Sequence, residues 1–403
     1  MMKLQHTSID LADGRELIYF DETPRPHPER DKRPLDDRPS ESEVRYDALA
    51  GEWVAIAAHR GNRTYLPPAD QCPLCPTQPG HPSEIPGEYD VAVFENRFPS
   101  LGPELGELPE PPSRRDSPVS GPGGWGVRAP GYGRCEVVAF TSEHEGSFSS
   151  LSQGRAMTVL GALAQRTEQL GRLPGIRQVF PFENRGEQIG VTMQHPHGQI
   201  YAYPYVTPRA AAIAESAERH FSRTGRVLLA DILNQERSSG ERMLAEGRHF
   251  SAFVPFAARW PLEAHIVPHR QISDLSEVST EELEELSGLV LALLRRLDAL
   301  YDSPTPYIAA WHQVPLKASL RQSGRLHFQV TSPRRAADKL KFLAGSEAAM
   351  GAFIVDATPE QIAAQLRSVE LGSVEPGSVE PVRPARNEDS AQLENLETKV
   401  AQS

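Results

Sequence analysis

One pattern of elements occurs twice in this chain, and that repetition constrains its fold more than any other feature. A strand-like run, Arg134-Cys135-Glu136-Val137-Val138-Ala139-Phe140, is followed by His144 and then by a helical stripe with apolar residues at Val159, Leu160, Leu163 and Leu170. Two further strands follow, Ile176 to Phe182 and His195 to Tyr203. The order then recurs. Phe250 to Pro255 and Glu263 to Val267 read as strands. A helix opens at Ser279, with Glu282 three residues on as a capping box, and Leu283, Leu286, Val290, Leu293, Leu297 and Leu300 form its buried face. Tyr307 to His312 and Arg325 to Val330 close the second copy. Each copy ends on a strand carrying His-x-Gln: His197-Gly198-Gln199 and His327-Phe328-Gln329. Strand, helix, strand, strand, twice over, predicts an α+β fold of two related halves, with mostly antiparallel sheets and flanking helices. Between them, Thr207 reads as the cap of a helix with Pro208 in its first turn.

The segments around this repeat differ in composition. Residues 1–40 read as an extended N-terminal arm that is proline-rich from residue 22. Its proline-rich stretch is preceded by an Asp13-Gly14 turn and an apolar run to Phe20, the signature of a hairpin. The two halves are expected at 41–205 and 206–366. A long Gly/Pro-rich loop spans 102–133. From 367 to 403 the chain repeats Ser-Val-Glu at 368–370, 373–375 and 378–380 and then turns polar, so a disordered tail is expected there.

Several classes are excluded. A chain of 403 residues is long enough for a sizeable core. It contains no run of 18 apolar residues that could span a membrane, and Met1 to His6 lack the apolar stretch of a secretory signal, so a cytoplasmic location without membrane association is expected. Three cysteines cannot staple a chain of this length. A net charge of −12 argues against a nucleic-acid partner, yet leaves room for a phosphorylated metabolite, which needs only a few placed cations.

The most informative stretch is Gln194-His195-Pro196-His197-Gly198-Gln199-Ile200-Tyr201. In an extended strand, alternate side chains share a face, so His195, His197 and Gln199 would line one side while Gly198 permits close approach. Cys72-Pro73-Leu74-Cys75 is a redox pair or half of a zinc site. The redox reading wants a thioredoxin-like context, which is missing. The only other cysteine, Cys135, lies in an apolar strand, so a tetrahedral site would need two histidines, for which His144 and His195 are candidates.

With these residues in place, roughly residues 41–367 resemble the galactose-1-phosphate uridylyltransferase family of the histidine triad superfamily. The motifs that carry the likeness are His59-Arg60-Gly61-Asn62-Arg63, Cys72-Pro73-Leu74-Cys75, Phe94-Glu95-Asn96-Arg97-Phe98-Pro99, Glu183-Asn184-Arg185-Gly186, His195-Pro196-His197-Gly198-Gln199 and Lys341-Phe342-Leu343-Ala344-Gly345-Ser346-Glu347. The resemblance implies two histidine-triad-like halves and a ping-pong transfer. UDP-glucose would give its uridylyl group to a histidine and release glucose 1-phosphate, and galactose 1-phosphate would then take the group to give UDP-galactose. It implies His197 as the nucleophile, oriented by the carbonyl of His195, and Gln199 as a hydrogen-bond donor to the transferring phosphoryl group. It implies Arg60 and Arg63 near the phosphates, Leu74 and Asn96 against uridine, and Asn184, Gly190, Val191 and Thr192 along the phosphates. Lys341, Ala344 and Glu347 match a hexose-binding segment that reaches the partner's site in the family's homodimer. Cys72, Cys75, His144 and His195 match four ligands of a structural zinc, and no organic cofactor is implied.

There are departures. His312 and His327 match two ligands of a second metal site found in some members, but Gln329 and Ile213 stand at the other two positions, so that site is expected to be empty and both histidines to be satisfied in the core or at an interface. Arg97 replaces an acidic residue, and Thr192 a serine. An alternative within the superfamily is a dinucleoside-polyphosphate phosphorylase or adenylyltransferase using the same histidine, although such an enzyme is not expected to carry the Cys-x-x-Cys or hexose segments. A non-catalytic nucleotide sensor or zinc-stabilised interaction protein is disfavoured by the intact His197 and Gln199.

Overall fold

A computed structural model describes residues 4–35, 42–62, 67–103, 126–301 and 303–371. Its strands, in chain order, are β1 (His6–Asp10), β2 (Glu16–Phe20), β3 (Glu43–Asp47), β4 (Glu52–Ile56), β5 (Val91–Glu95), β6 (Arg128–Pro130) and β7 (Arg134–Ala139), followed by β8 (Gln178–Arg185), β9 (His197–Tyr203), β10 (Met243–Glu246), β11 (Phe250–Phe253), β12 (Leu262–Pro268), β13 (Tyr307–His312) and β14 (His327–Ser332). The long helices are α1 (Gln153–Gly171), α2 (Pro208–Thr224), α3 (Leu228–Ser239), α4 (Thr280–Ala299) and α5 (Pro359–Arg367).

Eleven strands form one antiparallel sheet in the order β1-β2-β5-β7-β9-β8-β13-β14-β12-β11-β10. The order is mirrored about the β8–β13 seam. On one side β5, β7, β9 and β8 repeat what β11, β12, β14 and β13 do on the other, and α1 and α4 follow equivalent strands. The fold is therefore the α+β duplication that the repeated pattern predicts. The Asp13-Gly14 turn, with Gly14 at φ +75°, joins β1 to β2 and places the N-terminal hairpin at the sheet edge. A small sheet, β4-β3-β6, lies apart from the main one.

The stripes of α1 and α4 fix the layering. Val159, Leu160 and Leu163 of α1 join Leu286, Val290, Leu293 and Leu297 of α4, together with Val138, Val179, Ile200, Ala309, Phe328 and Val330 of both half-sheets, in one continuous core. Ser279 and Glu282 close the capping box of α4. Thr207 stands at the N-cap of α2, but its side chain makes no capping bond; Pro208 starts the helix instead. Along β9, Gly198, Ile200 and Ala202 point into the helix-covered core, while His197, Gln199, Tyr201 and Tyr203 are half-buried on the opposite face. That opposite face carries the site. Residues 104–125 of the long loop and 372–403 of the expected tail lie outside the described residues. No described helix is long and apolar enough to cross a membrane.

One buried group crosses the seam. Glu183 of β8 accepts a hydrogen bond of 2.9 Å from the Tyr307 hydroxyl of β13, and burial pushes its carboxyl up to about 8. A carboxyl raised in the folded state holds a proton that the unfolded chain gives up above about pH 4.5. Its stabilising contribution is therefore complete below that pH and is lost as pH rises to about 8. Scanning calorimetry should show Tm falling between pH 6 and pH 8.5, and Glu183→Gln should flatten that fall; parallel profiles would show that the carboxyl ionises normally.

Candidate active site

Proline decides how the motif 194–201 enters the sheet. Pro196 has no N–H for the ladder, so β9 begins only at His197, and the carbonyl of Pro196 accepts from the Phe140 N–H at 3.0 Å. This corrects the expectation that His195, His197 and Gln199 share one strand face. His195 precedes the strand, its ring is buried, and it turns towards the cysteines, while His197 and Gln199 line a cavity.

The two histidines remain coupled through the backbone. His197 donates from Nδ1 to the carbonyl of His195 at 2.7 Å, which fixes the ring and leaves Nε2 as the nitrogen available to a ligand. Burial lowers the affinity of His197 for a proton, although the His195 carbonyl opposes this, so the ring is neutral at pH 7. Gly198 makes the strand fit beneath this arrangement. A Cβ there would stand 2.8 Å from Cζ of Phe140 and 3.0 Å from the carbonyl of Phe182.

The cavity measures about 350 Å³. The structure brings Arg60, Leu74, Asn96, Asn184, Gly190, Val191, Thr192, His197 and Gln199 together around it. Arg60 is held by donation to the Phe98 carbonyl at 2.6 Å, and Asn96 Oδ1 accepts from the Phe98 N–H at 2.9 Å. Gly190 ends a short helical turn at φ +84°, a left-handed conformation that carries the chain past the cavity. Phe94, Arg97, Phe182, Met193 and Tyr201 also line the space. Phe182 and Tyr201 were accessible to period-two reasoning along their strands, whereas the position of Met193 carries no sequence signal. Arg63 lies outside the described residues. Lys341, Ala344 and Glu347 do not line this cavity. Lys341 is buried and bonds Glu347 Oε1 at 2.7 Å, in a segment away from it.

Beside the cavity, Cys72, Cys75, His144 and His195 converge, with their ligand atoms all within 4.8 Å of one another. Nδ1 of His195 is 3.7 Å from Cys72 Sγ and 3.5 Å from Cys75 Sγ, and Nδ1 of His144 is 3.4 Å from Cys75 Sγ. A tetrahedron with metal–sulfur bonds of about 2.3 Å and metal–nitrogen bonds of about 2.0 Å has sulfur–nitrogen edges of about 3.5 Å, so the set fits a tetrahedral metal. His195 Nε2 donates to the Thr141 carbonyl at 2.7 Å, which leaves Nδ1 unprotonated and facing the thiols. The buried Tyr89 hydroxyl, 3.1 Å from the same Nε2, donates to the Leu74 carbonyl at 2.7 Å. Burial and the adjacent Cys72 push the Cys75 thiol up to about 12, an electrostatic conflict that a cation would relieve.

A neutral histidine aimed by a carbonyl shares this cavity with an amide and a guanidinium, groups suited to a phosphate-bearing ligand, and similarity to known proteins places the chain among the nucleotidyltransferases. Residues 32–207 match the family model described as galactose-1-phosphate uridyl transferase, N-terminal domain, and residues 214–375 match its C-terminal domain. Relatives named galactose-1-phosphate uridylyltransferase include one from Streptomyces lividans, 44% identical over 332 residues, covering 81% of this chain and 83% of that protein. Another, from Thermotoga maritima, is 33% identical over 335 residues, covering 82% and 99%. A solved structure of a uridylyltransferase superposes with a TM-score of 0.67 at 31% identity over 81% of this chain and 97% of that one. An ADP-glucose phosphorylase from Arabidopsis thaliana with bound ADP-glucose, 24% identical with a TM-score of 0.60 over 82% of this chain and 99% of that one, shares the fold. The chain belongs to the galactose-1-phosphate uridylyltransferase family.

The close approach at Gly198 sets a measurable limit. Gly198→Ala is expected to lower stability by about 1–3 kcal/mol through overpacking against Phe140 and the Phe182 carbonyl, read as a fall in denaturation midpoint. An unchanged midpoint would mean that the strand shifts to make room.

Proposed function

We propose that this protein is a UDP-glucose–hexose-1-phosphate uridylyltransferase of galactose metabolism that works by double displacement at His197. The observation that carries the reading is the 2.7 Å bond from His197 Nδ1 to the His195 carbonyl, which presents Nε2 of a neutral imidazole to a cavity that also holds Gln199 and Arg60. Nε2 attacks the uridylyl phosphorus of UDP-glucose. The phosphorus–nitrogen bond forms, the bond to the bridging oxygen breaks, and glucose 1-phosphate leaves with the electron pair. A phosphate oxygen of galactose 1-phosphate then attacks the same phosphorus, UDP-galactose departs, and Nε2 is restored. As positive charge develops on the phosphorylated ring, Nδ1–H remains on the carbonyl, which stabilises it.

Gln199 is assigned the donor to a non-bridging phosphoryl oxygen, and Arg60 and Arg63 the phosphates, which suit guanidinium forks. Leu74 and Asn96 would contact uridine, and Asn184, Gly190, Val191 and Thr192 the phosphates. Zinc is assigned to Cys72, Cys75, His144 and His195. A closed two-sulfur, two-nitrogen set has no open position for substrate, so its part is to hold His195, whose carbonyl orients the nucleophile. Lys341, Ala344 and Glu347 are assigned to the hexose of the partner's site in a homodimer. In support, their segment exposes Phe342 at 77% and Met350 at 80%, apolar surface of the kind that interfaces cover. A cytoplasmic location is supported by three unpaired thiols, which suit a reducing compartment.

Incubation with labelled UDP-glucose and no acceptor should leave one acid-labile uridylyl group per subunit, with glucose 1-phosphate released. His197→Ala should abolish labelling, and Gln199→Ala should slow it about 100-fold or more. Full labelling of His197→Ala would sink the mechanism, and preferential labelling by ADP-glucose would favour the phosphorylase alternative. Metal analysis of protein purified without chelator should find one zinc per subunit, lost in Cys75→Ser with a lowered Tm. Zinc-free wild-type protein would refute the metal assignment.

A further inference from the structure

The mirror-related half contains a cavity of its own, about 740 Å³ in volume. The strand registers show what it corresponds to. Phe182 of β8 stands opposite Gln199 of β9, and Ala310 of β13 stands opposite Gln329 of β14. His327 therefore holds the place of His197, and His312 the place of Asn184. Both histidines line the cavity, so the expectation that they are satisfied core or interface groups is corrected in part: His312 is hydrogen-bonded, but the buried Nδ1 of His327 has no partner among the described residues.

This copy is not arranged for group transfer. The backbone of Arg325, the counterpart of His195, lies beside His327, but the ring makes no bond as close as the 2.7 Å one that orients His197. Gln329 is already committed, since its Oε1 accepts from His312 Nε2 at 2.8 Å and its Nε2 donates to Glu263 Oε1 at 2.6 Å. Glu263 is committed as well: Oε1 lies 3.3 Å from His265 Nε2, and Oε2 accepts from the backbone N–H groups of Arg259 and Trp260.

The cavity still bears the marks of an anion site. Arg209 and Arg259 line it, and neither is paired with a carboxylate among the described residues; Arg209 reaches only Gln329 Oε1, at 3.4 Å. Burial and the charge of Arg259 lower the pKa of Arg209, opposed in part by the Glu263 carboxylate, and a bound anion would relieve what remains. Beyond Arg209, which sits in the first turn of α2, the wall formed by α2 and α3 is apolar. Ile213 of α2 and Ile232 of α3, each 39% exposed, face the cavity with Ala217 and Leu229. The ring of a sugar phosphate offers that wall only a small patch of C–H groups between its hydroxyls, whereas a nucleobase covers it with a flat face of larger apolar area.

We propose that this second cavity binds a nucleoside phosphate non-covalently, with the phosphate on Arg209 and Arg259 and the base against α2 and α3. The proposal stands apart from the transfer reaction, because it concerns side chains that the reaction does not use. The test is equilibrium dialysis of the full chain with radiolabelled UMP. Wild type should bind two molecules per subunit. Ile213→Trp, which fills the cavity from a half-exposed position, should bind one, and Arg209→Gln/Arg259→Gln should weaken the second site by about tenfold or more. Both variants should keep wild-type transferase activity, which shows that they fold. Inorganic phosphate and glucose 1-phosphate should displace the second UMP at least tenfold less well than AMP does. A single equivalent in wild type, a second equivalent unaffected by both variants, or displacement by inorganic phosphate as effective as by AMP would overturn the proposal.

Discussion

One residue, His195, is used twice, and the site depends on that double use. Its ring faces Cys72, Cys75 and His144, while its carbonyl, two bonds of backbone away, holds Nδ1 of His197 at 2.7 Å. Fixing the ring helps to hold the carbonyl, because Pro196 restricts the ψ of His195, the backbone torsion that sets the carbonyl's direction. The Thr141 carbonyl and the Tyr89 hydroxyl fix the ring from the other side. The Cys/His cluster and His197 are therefore one mechanical unit, and displacement at the cysteine loop would be transmitted to the imidazole without passing through the cavity.

The unit is mounted on a sheet whose two halves cannot separate cheaply. Helices α1 and α4 contribute to one core that runs under both, and β8 pairs with β13 from Tyr307 opposite Arg185 to Ala310 opposite Phe182. Strand β8 supplies Phe182 and Asn184 to the cavity on one face and Glu183 to the core on the other. The same strand thus carries cavity-facing and core-facing groups at alternate positions, which limits how far either set can vary independently.

Much of this was legible because periodicity is a local signal. The repeat, the helical stripes, the capping box at Ser279 and the His-x-Gln strands follow from spacing alone, whereas most of the nine expected cavity residues that the structure brings together were legible only through the family resemblance. What spacing could not give is where a strand begins. Pro196 moves His195 off the ladder, and no pattern in the surrounding residues announces on which side its ring will fall. The small sheet of β3, β4 and β6 was illegible for another reason: β3 and β4 form a local hairpin, but β6, which completes the sheet, comes far later in the chain and is only three residues long. The place of Lys341 and Glu347, bonded to each other away from the cavity, was invisible too, since ion-pair geometry has no sequence period.

The β8–β13 seam also has a history within each molecule. Its paired residues, Arg185 and Tyr307, stand more than 120 positions apart, so β8 emerges from the ribosome and can join β9 and β7 long before its other neighbour exists. At about 5–20 residues per second, that interval lasts roughly 6–25 s. Throughout it, the strand that borders the cavity is an open edge with unpaired amides and carbonyls on one side. The duplicated architecture that yields a rigid enzyme thus carries a period of exposure during synthesis, and the second half acts, in effect, as the cover that ends it.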